Sequence, residues 1–385
     1  MTQRGDLPAR TGPARTGPSG AGAVRERVLG GGYEHLARPV LFRLGGGDAE
    51  TAHHTTLQGA AAAARVPGLL HLVAAATGGL APGQPAGGRV VCAGVAFGHR
   101  VGLAAGVDKD GTALLTWQAL GLGHVELGTV TPRPQHGNPR PRVHRLRASR
   151  AVLNAMGFPN AGVEAAVHRL RVARDEGLTI PVGLSIGKNK DTPLARALED
   201  YAACVRVAAG LPDYLAVNIS SPNTPGLRGL ADPEPLRALL AGVVAAERER
   251  ADAAGTPPVP VLCKVAPDMD DAALHAAVGI AQEEGVAGII ATNTTLRRDG
   301  LTAEDRAWVG PERPGGVSGA PLTDRAREVV RLVRAGCDLP VVGVGGVMTP
   351  QDGVELVRAG ADLVQVYTGF IYAGPALVAG IAART

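Results

Sequence analysis

The residues best suited to chemistry lie in the loop 218–226, Asn-Ile-Ser-Ser-Pro-Asn-Thr-Pro-Gly, which follows the apolar run 214–217. That run is typical of a buried parallel strand. Pro222 and Pro225 fix their own φ angles and keep the residues before them out of the helical region, so the loop should be stiff. Short donors and acceptors held rigidly at the end of a strand suit recognition of a planar polar molecule. The same composition also occurs in ordinary turns.

A second candidate is Lys264, which lies near the end of the apolar run 260–265 and should therefore be buried. A buried ammonium needs an anionic partner, and a reduced flavin ring would be one. Glycines follow two later apolar runs, at 343–346 and 367–369, where backbone N–H groups can hold an anion. A phosphate site, a buried lysine and many amide donors together suit flavin mononucleotide, FMN, with hydride transfer as the reaction.

Composition narrows the class of protein. The chain has 385 residues, is 45% hydrophobic and 3% aromatic, and carries a net charge of +4. No basic run is interleaved with aromatic residues, which argues against nucleic acid as a partner. The four cysteines, at 92, 204, 263 and 337, show no metal-ligand or CxxC spacing. They are predicted to be reduced core residues of a cytosolic protein, and no metal site is expected.

Eight short apolar runs alternate for the most part with amphipathic stretches. The predicted strands are 102–106, 124–128, 181–186, 214–218, 260–265, 288–292, 340–344 and 363–366. The predicted helices between them are about 112–120, 162–175, 193–209, 233–253, 271–284, 322–335 and 350–359. Eight such units indicate an α/β fold closed into a (β/α)8 TIM barrel over 79–385. A doubly wound open sheet is the alternative, but it would require a dinucleotide fingerprint after the first strand.

The N-terminal part of the chain differs from the predicted barrel in its composition and hydrophobic pattern. Residues 1–30 hold five arginines against two acidic residues and are predicted to form a disordered basic tail. Residues 31–78 are predicted to form a small module of amphipathic helices, at about 33–44, 49–64 and 67–76. These helices could pack on the barrel or keep an apolar side open toward a membrane surface, and hydrophobic periodicity alone does not distinguish these two alternatives. No apolar run reaches the roughly 18 residues that a membrane-spanning helix needs.

Four motifs, at 104–111, 154–158, 218–226 and 292–295, carry a resemblance to a known family. With them the chain, over about residues 33–380, resembles the class 2 dihydroorotate dehydrogenases, the respiratory and membrane-associated branch of that flavoprotein family. The resemblance implies oxidation of (S)-dihydroorotate to orotate in pyrimidine (UMP) synthesis, with FMN as hydride acceptor and a membrane quinone as final acceptor. It further implies a peripheral protein on the cytoplasmic face of the cell membrane. Another FMN barrel acting on a pyrimidine, or a non-enzymatic phosphate-binding barrel, remains an alternative.

The resemblance also implies roles for individual residues. Ser221 matches the catalytic base that distinguishes class 2 from class 1, where a cysteine stands. The residues expected to hold FMN are Ala104, Ala105, Gly106, Val107, Asp108, Thr129, Ser185, Asn218, Lys264, Thr292, Gly319, Gly345, Gly346, Tyr367 and Thr368. Those expected to hold the substrate are Lys109, Asn154, Ala155, Met156, Gly157, Phe158, Asn218, Asn223, Asn293 and Thr294. Arg145 and Tyr367 are expected to face the quinone, with His53 or His54 along the same tunnel.

Three positions depart from the family pattern. Ser185 stands where an asparagine usually touches the flavin, Ala155 replaces a larger residue, and His144 replaces an aromatic one. None of these changes removes a catalytic group.

Overall fold

The computed structural model describes residues 20–385, so residues 1–19 of the predicted basic tail lie outside the described residues. The helices are α1 (Gly20–Gly32), α2 (Arg38–Arg43), α3 (Ala49–Ala64), α4 (Leu69–Thr77), α5 (Leu114–Ala119), α6 (Val163–Asp175), α7 (Ala197–Ala208), α8 (Pro233–Ala254), α9 (Asp271–Glu283), α10 (Ala303–Val309), α11 (Thr323–Gly336), α12 (Pro350–Ala359), α13 (Thr368–Ala373) and α14 (Pro375–Ala382). The strands are β1 (Val90–Cys92), β2 (Val95–Phe97), β3 (Val101–Leu103), β4 (Val125–Val130), β5 (Val143–Leu146), β6 (Ala151–Asn154), β7 (Val182–Ile186), β8 (Tyr214–Asn218), β9 (Val261–Val265), β10 (Gly288–Ala291), β11 (Gly316–Gly319), β12 (Val341–Val344) and β13 (Leu363–Val366).

Eight parallel strands close into a barrel in the order β3, β4, β7, β8, β9, β10, β12 and β13, with β13 pairing back to β3. Every residue of these strands is buried, because the barrel interior covers one face and the surrounding helices cover the other. All eight correspond to strands predicted from the sequence, which confirms the (β/α)8 fold. The carboxyl ends of the strands open toward one face of the barrel, where enzymes of this architecture carry their sites.

A separate three-stranded antiparallel sheet, in the order β11, β6, β5, was not expected from the sequence. Its strands have four residues each and include the polar and glycine-rich sequences VHRL and GVSG, which lack an apolar strand pattern. The sheet joins the segments that follow β4 and β10, and it brings Arg145 and Asn154 to the open face of the barrel.

The N-terminal helices form a module that packs on the barrel. Helix α1 contacts α14, and α3 and α4 contact α5. The predicted disordered tail is wrong for residues 20–30, which belong to α1. The helix is held to the end of the chain by an ion pair of 2.7 Å between Glu26 and Arg384, a long-range contact that a local composition argument does not detect.

The predicted helix at 33–44 is not a separate element, because helical backbone angles continue from α1 through Arg43. A π-helical turn over Tyr33–Ala37 leads into α2, and Gly45 and Gly46 take left-handed φ angles of 63° and 66° that end it. The Asp48 side chain then caps α3 by accepting the Thr51 N–H at 2.7 Å. No single described helix is long and apolar enough to cross a membrane. Helices α3 and α4 reach that length and composition only as a pair, which is bent by 110°.

Candidate functional site

One cavity begins at the loops after β12 and β13, crosses the mouth of the barrel and ends between α2 and α3 of the N-terminal module. It collects most of the residues singled out in the sequence. Those that line it are Ala104, Ala105, Gly106, Val107, Lys109, Thr129, Arg145, Asn154, Met156, Gly157, Phe158, Ser221, Asn223, Lys264, Thr292, Asn293, Thr294, Gly319, Gly345, Gly346, Tyr367 and Thr368, with His53 from α3.

Four of the expected site residues, Asp108, Ala155, Ser185 and Asn218, do not line the cavity. Asp108, Ser185 and Asn218 are buried behind its wall. The Thr129 hydroxyl bridges two of them, accepting a hydrogen bond of 2.7 Å from the Asn218 amide and lying 2.9 Å from the Ser185 hydroxyl. Ser185 therefore orients Thr129, a residue that does line the cavity.

Asp108 is fully buried and holds the turn that carries Lys109. Its two carboxylate oxygens accept the N–H groups of Thr112 and Ala113 and the indole N–H of Trp117, all at 2.7–2.8 Å. Burial raises the pKa of Asp108, and these three hydrogen bonds oppose that rise. The Asp108 side chain thus holds the shape of the loop after β3 and does not line the cavity.

Lys109 projects from this loop into the cavity and donates to the Gly106 carbonyl at 3.0 Å. Burial lowers the pKa of Lys109 to about 8, while the nearby charges of Asp110 and Glu50 oppose the shift. The amine is therefore largely protonated at neutral pH and can bind an anion.

The loop after β8 places Ser221 in the cavity. The Ser221 hydroxyl accepts the N–H of Asn223 at 3.3 Å and is otherwise directed to the site. Three residues along, the Thr224 hydroxyl is buried and has no hydrogen-bond partner among residues 20–385. A buried hydroxyl without a partner is costly, which indicates that water or a ligand group completes this site.

Asparagine side chains from three different loops meet around Ser221. The Asn223 amide donates to the Asn154 side chain at 3.1 Å. The Asn293 amide donates to the Ser220 hydroxyl at 3.0 Å. These side-chain bonds fix the direction of several donors and acceptors, as recognition of a planar amide-rich ligand requires.

The floor of the cavity is formed by Lys264 over a buried polar group that the sequence analysis missed. The Lys264 ammonium lies 3.4 Å from Glu126, which also accepts hydrogen bonds from Tyr214 at 3.1 Å and Gln365 at 2.9 Å. Burial raises the pKa of Tyr214 well above its ordinary value, so this phenol stays protonated as a donor. The sequence does contain a signal for this group, because Glu126 is a charged residue within the otherwise apolar strand sequence VELGTV.

The end of the cavity near β12 and β13 can hold a phosphate group. Gly345, with a φ angle of 116°, and Gly346, with 68°, adopt left-handed conformations and line this end together with Gly319 and Thr368. Among the described residues that line the cavity, Glu50 is the only acidic one, and it lies at the opposite end. Backbone N–H groups can therefore face an anion there without a competing carboxylate.

The end of the cavity inside the module is mostly apolar. Arg145 donates to the Phe42 carbonyl at 2.9 Å, and its guanidinium lies 4.6 Å from the centroid of the Phe42 ring. Tyr33, Leu41 and Leu57 also line this end. The sequence pattern did not single out Phe42, because only the docking of α2 beside β5 brings it to Arg145. His54, in contrast to His53, does not line the cavity.

Burial, together with the nearby Lys109 charge, lowers the pKa of His53 to about 3, so the ring is neutral at physiological pH. No cluster of three or more potential metal ligands occurs within residues 20–385.

Comparisons with known proteins place this barrel and site in one family. The sequence profile of the family described as dihydroorotate dehydrogenase matches residues 89–384, and the chain belongs to that family. A curated relative from Salinispora arenicola, named dihydroorotate dehydrogenase (quinone), is 51% identical over 92% of this chain and 99% of its own length. A relative from Chloroflexus aurantiacus with the same name is 48% identical over 90% of this chain and 93% of its own length.

The fold comparison agrees. The chain is similar to the crystal structure of ligand-free dihydroorotate dehydrogenase from Eimeria tenella, with a TM-score of 0.73 and 33% identity. The match covers 86% of this chain and 92% of the other.

Proposed function

We propose that this protein is a quinone-dependent dihydroorotate dehydrogenase that oxidises (S)-dihydroorotate to orotate in pyrimidine synthesis. The observation that carries the proposal is the shared cavity: Ser221, Lys109 and Lys264 line the same space, which continues to the apolar end beside Arg145. A non-enzymatic phosphate-binding barrel would have no use for these three side chains around one ligand. An FMN barrel for another pyrimidine would have no use for the helical module.

The family is flavin-dependent, and the cavity fits FMN. The glycines at 319, 345 and 346 with Thr368 would hold the phosphate, and Lys264 and Thr129 would face the ring system. When bound, FMN supplies the acceptor for the hydride from C6 of the substrate and returns the electrons to a quinone. Lys264 would offset negative charge at the ring.

The substrate would lie over this ring, held by Lys109 at its carboxylate and by Asn154, Asn223 and Asn293 at its amides. This preorganisation removes much of the entropic barrier to reaction. Ser221 would remove the proton from C5. A serine hydroxyl is a weak base, so it must pass its own proton on, and the unpartnered Thr224 hydroxyl in the same loop would serve as a relay.

We assign residues 79–385 to the catalytic barrel and the helices before them to a quinone entrance at the membrane surface. Quinone-dependent members of the family are peripheral membrane enzymes. In this chain Leu36, Val40 and Leu72 of the module are 73%, 59% and 71% exposed, which supports docking of the module on lipid. The contact would be made from the cytoplasmic face.

The purified protein should therefore be yellow, lose its flavin absorbance with dihydroorotate in the absence of oxygen, and regain it with a quinone. In the Ser221→Ala variant the bound flavin should remain, but its reduction should slow by about 10²-fold or more, the range for losing a general base. Stopped-flow absorbance measures both. A colourless protein would defeat the whole proposal, and an unchanged rate in the variant would defeat the role of Ser221 alone.

A further inference from the structure

A buried ion pair joins the N-terminal module to the barrel. Glu50 of α3 is only 3% exposed, and Arg142, in the loop before β5, is 5% exposed. The Arg142 Nε donates to both carboxylate oxygens of Glu50 at 3.2 and 3.1 Å, and its Nη2 donates at 2.7 Å. Arg140 adds a contact of 3.0 Å, and His54 lies 3.7 Å away.

Glu50 is ionised at neutral pH. Burial alone would raise the pKa of Glu50, but the hydrogen bonds and charge of Arg142, with Arg140 and His54, outweigh it and hold the pKa below its ordinary value. Neither Glu50 nor Arg142 has a role in the mechanism above, although both are charged groups taken out of water at a cost.

The other side of Arg142 reaches the substrate loops. Its Nη1 donates to the carbonyls of His136 and Asn138, each at 2.6 Å. The Asn138 amide in turn donates to the carbonyls of Ala155 and Asn223, each at 2.9 Å. A continuous set of hydrogen bonds thus runs from α3 to the two loops that carry Asn223 and the 154–158 motif.

We propose that Glu50 and Arg142 are positioning residues for the substrate: α3 of the module, through this ion pair, holds the loops around Ser221 in their binding geometry. The inference rests on the proposed function. It gives the module a second task, because the same helix that borders the apolar end of the cavity also holds the loops around the substrate site.

The test uses the full-length flavoprotein and two variants that interrupt the path of hydrogen bonds from α3 to the substrate loops, Glu50→Gln and Asn138→Ala. Glu50→Gln keeps the size of the side chain and leaves Arg142 without its buried counter-charge. Asn138→Ala breaks the path close to the substrate without touching the module, and it serves if Glu50→Gln folds poorly. The control is Glu34→Gln, which removes an exposed carboxylate of the same module that pairs with Arg38.

Three quantities are measured: the dissociation constant of orotate from the change in flavin absorbance, the flavin reduction rate at saturating dihydroorotate, and hydrogen exchange in residues 134–158. Both path variants should weaken orotate binding about tenfold, as expected for the loss of one well-placed hydrogen bond. They should also speed exchange in that segment, while the saturated reduction rate stays within about threefold and the control matches the wild type.

Unchanged orotate affinity and exchange in both variants would overturn the positioning role and leave the proposed function intact. An equal slowing of saturated reduction with no loss of affinity would also overturn it. If the wild-type protein itself neither binds orotate nor is reduced by dihydroorotate, the proposed function fails instead, so the two failures are distinguishable.

Discussion

The pKa of Lys109 gives a quantitative prediction for ligand binding. Burial lowers this pKa to about 8 in the free site, from an ordinary value near 10.5. Only the protonated amine attracts a carboxylate. Affinity for orotate should therefore be full below pH 7 and should fall as the pH rises through 8.

The size of the loss follows from the titration. At a pKa of about 8, roughly nine-tenths of the amines are protonated at pH 7 and one-tenth at pH 9, so the dissociation constant should rise about tenfold over that interval. With an unperturbed lysine the change would be only a few per cent. Asp110, Asp108 and Glu50 raise this pKa and Arg142 lowers it, so its value reports the complete set of charges around the loop.

The assay is an equilibrium titration of the oxidised flavoprotein with orotate between pH 6 and 9, followed by flavin absorbance. Because no reaction occurs, the proposed base Ser221 does not enter the result. The Lys109→Arg variant is the matched control, since a guanidinium stays charged throughout and any loss that remains belongs to the ligand. A wild-type dissociation constant that changes less than twofold up to pH 9 would refute the assignment of Lys109 to the substrate carboxylate.

Two further predictions concern the buried charge beside Lys264 and the module end of the cavity. In Glu126→Gln the charge of Lys264 loses the carboxylate that lies 3.4 Å away, so the flavin reduction potential should rise by about 30 mV or more. Dye equilibration measures this, and an unchanged potential would show that Lys264 does not act on the ring. In Arg145→Ala, reoxidation by a long-tailed quinone should slow about tenfold while reduction by dihydroorotate is unaffected, because Arg145 lines only the module end. A loss in both half-reactions would contradict that separation.

The sequence predicts the barrel well and the surroundings of the site less well. Barrel strands such as β8 are buried on both faces, so they appear as uninterrupted apolar runs whose position can be read directly. The sheet of β5, β6 and β11 is short, half polar and assembled from distant segments, so no local sequence pattern predicts it. For the same reason the motifs indicate Asn154 and Arg145 as site residues without indicating the sheet that positions them.

Partners of buried charges were the hardest to predict. The burial of Lys264 follows from its apolar neighbours, but its contact with Glu126 depends on two barrel strands facing each other across the interior. Arg142 and Glu50 are 92 residues apart, and nothing in either local sequence connects them. Local composition predicts a disordered tail over 1–30, and this prediction is wrong for residues 20–30, where a distant helix, α14, supplies the packing surface for α1.

Helix α3 carries Glu50 and His53 one turn apart, so the ion pair that leads to the substrate loops and the lining of the apolar end belong to a single helix. If a compound bound beside His53 displaces this helix, the affinity for orotate must change, and orotate must change the affinity for that compound by the same factor. An inhibitor bound at the proposed quinone end would then change the dissociation constant of the substrate. Its apparent potency would depend on how much orotate is present, although the two ligands never touch.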